Sequence, residues 1–153
     1  MATGQDTPIA DNGGSVVGAR PEFYGILLFT LAGQGTLYST QLSAGSINVT
    51  AYAVKTSSGS LNVIVVNKDL TQNLQLTTQL PESSTSATLL AMTLLTSGAT
   101  GPDLSATSGV TIQGASVNLD GTFSPAAAYT LEPSGSQLTC YVPALSAVLI
   151  QIA

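Results

Sequence analysis

The chemistry open to this chain starts from eight carboxylates: Asp6, Asp11, Glu22, Asp69, Glu82, Asp103, Asp120 and Glu132. Hydrolysis of a glycosidic bond needs two of them held about 5 Å or about 6.5–9.5 Å apart, one as acid and one as nucleophile or base. Their settings point elsewhere. Asp120 precedes Gly121 in a turn, Glu132 precedes Pro133, Glu82 follows Pro81, and Asp69 follows Asn67-Lys68 at a strand end. Each has a local turn or a solvated loop to serve. Histidine is absent, so no Ser-His-Asp or Cys-His arrangement exists. A Ser-Lys pair would need Lys55 or Lys68 stripped of water, which nothing in the sequence indicates. Cys140 is the one cysteine, which rules out a disulfide within the chain and leaves zinc without partners; it reads as a buried, inert thiol in a strand. The loop from Gly98 to Asp103 brings too few carboxylates for calcium, and no phosphate-binding G-x-x-x-x-G-K-[ST] motif occurs. The expectation is a chain without catalytic residues, metal or cofactor.

Composition narrows the class of protein and of partner. The 153 residues are 44% apolar and 7% charged, with a net charge of −5. That is the make-up of one folded domain, well able to bury a core without staples. Arg20, Lys55 and Lys68 are scattered, so no basic stripe can track phosphates and nucleic acid is excluded as a partner. The longest apolar run, residues 25–31, is too short for a membrane span. No basic-then-apolar segment follows Met1, so no signal peptide is read here; a polar start also suits a piece of a longer secreted protein.

What must position these residues is mostly strand. Residues 1–19 are polar and glycine-rich, with Asn12-Gly13-Gly14 as a turn, and read as a flexible, extended leader. Residues 20–33 form an apolar helix or interface segment: Pro21 suits a first helical position, Glu22 the first turn, and Gly33 the stop. It is apolar on nearly every side, which predicts cover on more than one side. Phe23, Tyr24, Ile26, Leu27, Leu28, Phe29 and Leu31 are the candidate interface residues. From residue 34 to 153 the pattern is a single β-domain. Strands are predicted at 47–55, 61–68, 73–80, 87–95, 110–112, 115–119, 129–131, 137–142 and 147–152. About eight or nine short strands at this spacing predict an all-β, antiparallel β-sandwich. The five tyrosines fall mostly at strand positions, where they are expected to fill the core. Asn48-Val49-Thr50 fits the N-glycosylation sequon.

Several stretches resemble the C-terminal region of glycoside hydrolase family 79, the β-glucuronidase and heparanase-like enzymes. They are Thr7-Pro8-Ile9-Ala10-Asp11-Asn12-Gly13-Gly14 with Gly18-Ala19-Arg20-Pro21-Glu22-Phe23-Tyr24-Gly25, the hairpin 48–69 ending Val66-Asn67-Lys68-Asp69, Val110-Thr111-Ile112-Gln113-Gly114-Ala115 with Asp120-Gly121-Thr122-Phe123, and Tyr141-Val142-Pro143-Ala144-Leu145-Ser146-Ala147-Val148-Leu149. Their order is that of the family. The resemblance implies a β-sandwich that packs on a (β/α)8 barrel, with residues 22–32 matching the last barrel helix. The barrel strands bearing both catalytic glutamates have no counterpart here, so no catalytic residue carries over. A secreted, extracellular or periplasmic parent is implied.

The expected role is therefore an accessory or scaffold sandwich whose partner is a catalytic barrel. A self-assembling subunit, with copies of itself as partners through residues 23–31 and free strand edges, is a second reading. A carbohydrate-binding module comes third, because no tryptophan supplies a stacking platform.

Overall fold

The computed structural model describes residues 7–80, 84–94 and 106–153. Asp6, Glu82, Asp103 and the 98–103 loop lie outside them. The order is β1 (Ile9–Asn12), β2 (Ser15–Ala19), α1 (Pro21–Leu31), β3 (Gly35–Tyr38), β4 (Val49–Thr56), β5 (Leu61–Asn67), β6 (Leu74–Gln79), β7 (Ala87–Leu94), β8 (Val110–Ile112), β9 (Tyr129–Leu131), β10 (Gln137–Val142) and β11 (Ser146–Ile152). A seven-stranded antiparallel sheet runs β3-β4-β5-β11-β7-β8, with β9 also on β7. β6 and β10 form a two-stranded sheet. The fold is all-β and sandwich-like, with one helix.

The large sheet is covered on both faces. Val63, Val65, Val148 and Ile150 meet Leu74, Leu76, Leu138 and Val142 of the small sheet. Their sequence neighbours Ile64, Ala147 and Leu149 point the other way, against Tyr24 and Leu28 of α1. Successive strand residues face opposite sides, so only a strand buried twice can be apolar without a break. That is why Val63-Ile64-Val65 and Ala147-Val148-Leu149-Ile150 form unbroken runs at the centre, where β5 and β11 pair. β10, covered once, alternates exposed and buried along its length. Asn67 ties the layers at one end, its amide donating to the Gln72 and Val142 carbonyls at 2.9 and 3.1 Å.

Two segments depart from expectation. Residues 9–19 form a β-hairpin, β1–β2, where an extended leader is predicted. Gly13 and Gly14 both take positive φ, 60° and 88°, the geometry of a two-residue turn whose twist matches its strands. Residues 115–119 are not a strand. Gln113 and Gly114 at φ 50° and 75° turn the chain sharply after β8, leaving an isolated bridge between Ile112 and Ala115. The Val117 N–H then goes to a side chain, the Tyr24 hydroxyl, at 3.1 Å.

Candidate functional site

The described carboxylates are engaged locally or exposed. Asp69 Oδ1 accepts the backbone N–H groups of Thr71 and Gln72 at 3.0 and 2.9 Å. Its Oδ2 accepts from the Gln72 side chain at 3.2 Å. These bonds hold its pKa below the ordinary value. Asp120 is lowered in the same way, by the Thr122 hydroxyl and backbone N–H at 2.7 and 2.9 Å. Both stabilise turns. Asp11, Glu22 and Glu132 are exposed. Cys140 is buried and its thiol is pushed up to about 11 by desolvation, leaving it protonated and unreactive near neutral pH. Among the described residues no three metal-ligating side chains gather, and no helix is long and apolar enough to cross a membrane.

The feature that stands apart is α1. Pro21 sits at its start with Arg20 extended before it. The Arg20 guanidinium donates to the Thr7 carbonyl at 3.1 Å and the Arg20 backbone N–H to the Pro8 carbonyl at 2.9 Å, which pins the β1–β2 hairpin to the helix entry. At the other end Gly33 adopts φ +79°, the left-handed stop that glycine supplies. The buried amide of Asn62 on β5 donates to the Ala32 carbonyl at 2.7 Å, fixing the helix C-terminus to the sheet.

The seven candidate interface residues divide by face. Tyr24 and Leu28, 4% and 1% exposed, are sealed inside this domain against Ile64, Ile112 and Leu149. Leu27 and Leu31 pack partly against the same cluster, and Phe23 stands edge-on to Tyr24 with ring centroids 6.0 Å apart. Ile26 and Phe29 point away, 53% and 47% exposed. They line a shallow hollow with Glu22, Gly25, Thr30 and Gly33. Phe29 meets the exposed ring of Tyr52 on β4 at 5.5 Å and 64°. The β1–β2 hairpin that precedes the helix also exposes Ile9, Val16 and Val17.

The tyrosines correct an expectation. Tyr24 is buried, but Tyr38, Tyr52, Tyr129 and Tyr141 are all exposed. They sit on edge strands or outward-facing positions, so strand placement alone does not put a ring in the core. Tyr24 also has a role the sequence pattern conceals: its hydroxyl ties the 115–123 loop to the helix.

No protein-family profile and no curated protein sequence matches the chain. Solved structures do match in fold. The GH51 alpha-L-arabinofuranosidase from Thermotoga petrophila RKU-1 is 14% identical with a TM-score of 0.66, covering 95% of this chain and 31% of that one. The GH51 arabinofuranosidase from Xanthomonas axonopodis pv. citri gives 16% identity and 0.59, covering 95% and 28%. The catalytic domain of GH30 xylanase C from Talaromyces cellulolyticus gives 19% and 0.54, covering 95% and 27%. The fold is thus one found in glycoside hydrolases. This chain spans between 27% and 31% of the length of these three structures.

Proposed function

We propose that this chain is a non-catalytic accessory β-sandwich of a glycoside hydrolase, with α1 as the seat for a catalytic barrel. One observation carries the reading: α1 buries Tyr24 and Leu28 in the sandwich while Ile26 and Phe29, on its opposite face, stay open. An apolar helix covered on one side is what remains when a second body that would cover the other is lacking. The likeness in fold to glycoside hydrolases supports that second body being a barrel. The motifs around residues 7–25, 61–69, 110–123 and 141–149 favour family 79 as the finer assignment, and with it a secreted parent.

Local engagement of Asp69 and Asp120, the lack of histidine and the inert Cys140 support the absence of catalysis. Assay of the chain alone on aryl glucuronides, arabinofuranosides and xylosides tests it. No turnover above buffer is expected; turnover that follows the purified chain overturns the proposal. The same open face favours one further reading, self-association through Ile26 and Phe29, since low charge offers little repulsion.

A further inference from the structure

A second opening lies on the other side of the large sheet, along β6. This strand pairs with β10 on one edge, and among the described residues nothing pairs with its other edge. The hydrogen-bond phase says which groups are left over. Leu80 donates its N–H to the Ser136 carbonyl at 2.8 Å, so by antiparallel alternation Thr78, Leu76 and Leu74 also bond to β10. Thr77 and Thr139 form the closer, non-bonded kind of pair, with hydroxyls 3.3 Å apart. Gln75, Thr77 and Gln79 therefore turn their backbone N–H and C=O outward to the open edge.

That edge borders a groove of about 590 Å3. Its floor is apolar, from Ala51, Ala53, Leu61 and Val63 of the large sheet, and its far wall is the segment 38–43. No charged side chain lines it among the described residues. Natural edges are commonly guarded by lysine, proline or a bulge, and this one carries none of them. A folded second copy does not fit edge to edge. The large sheet continues past β6 through β4 and β3, and a second sandwich would drive its own sheet into them.

We propose that the groove takes a single extended, uncharged peptide segment from a protein partner, added as a third strand on β6. Its backbone bonds Gln75, Thr77 and Gln79, and alternate small or β-branched apolar side chains face Ala51 and Ala53 of β4 and Leu61 of β5. A charged side chain on that inward side would lose its water without a counter-ion. This inference stands independently of the barrel-seat reading.

Amide hydrogen exchange by NMR on the full chain tests it, with a short end-capped peptide of alternating valine and threonine as probe. Exchange at Gln75, Thr77 and Gln79 should slow by about tenfold or more, while a valine–glutamate peptide leaves it unchanged. Thr77→Pro removes a donor that β10 does not use, and should abolish the slowing; Thr77→Lys serves if the proline variant fails to fold. Unchanged exchange with the valine–threonine peptide overturns the proposal, as does equal slowing by the glutamate peptide. Slowing by xylohexaose in place of the peptide would give the groove to a neutral sugar and overturn it equally.

Discussion

The two faces of α1 are made of the same residue types and meet opposite fates. Tyr24, Leu28 and Ala32 are sealed against the sheet, while Ile26 and Phe29, half a turn away, face solvent. On the inner face two hydrogen bonds hold the docking: the Asn62 amide donates to the Ala32 carbonyl, and the Tyr24 hydroxyl accepts the Val117 N–H. The outer face has an aromatic edge contact with Tyr52 and an open hollow. The inner face behaves as core, and the outer as a surface awaiting cover. Hydrophobicity alone does not separate the two; the partner groups do.

Substitutions break this comparison in order of size. Leu28→Ala leaves a cavity against Ile112 and Leu149, and should cost about 2–5 kcal/mol in denaturant unfolding. Tyr24→Phe keeps the ring but orphans the Val117 N–H, and a loss of about 1–3 kcal/mol is expected from the same measurement. Ile26→Ser with Phe29→Ser should stay within about 0.5 kcal/mol per site, since neither residue is buried in this chain. If the outer pair proves as costly as Leu28, the distinction between the faces fails.

Acid sharpens the contrast further. No carboxylate takes part in docking the inner face, whereas Asp69 holds the turn after β5. Its pKa lies below the ordinary 3.8 in the folded chain. Its contribution is therefore complete above that value and is lost as pH falls through the lower, folded one. A pH titration of stability should show an acid-dependent loss that Asp69→Asn reduces. The exchange protection of the α1 amides should hold through the range where the 69–72 turn loosens.

Much of this fold was legible because its signals are local. Pro21 and Gly33 mark the helix ends, and the unbroken runs in β5 and β11 announce burial on two sides. What stayed hidden depends on distant partners. The β1–β2 hairpin reads as a leader because its apolar residues are few and the Arg20 anchor reaches back to Thr7 and Pro8. Residues 115–119 have strand-like composition, yet the Gln113 backbone and the Tyr24 hydroxyl take them out of the ladder. Exposure of Tyr38, Tyr129 and Tyr141 follows from which strands end up at edges or in single-sided layers, which spacing does not encode. Of the interface candidates, the run as a whole was readable; its division into inner and outer faces required knowing which side the sheet occupies.

The most direct test of the open outer face is the solution mass by light scattering, for the chain and for the Ile26→Ser/Phe29→Ser double variant. With no barrel to cover α1, the chain should show mass above its 15.4 kDa that rises with concentration. The variant should return to the single-chain value with its unfolding midpoint unchanged. A single-chain mass for the unaltered chain at every concentration, or association that the variant leaves intact, would contradict the account.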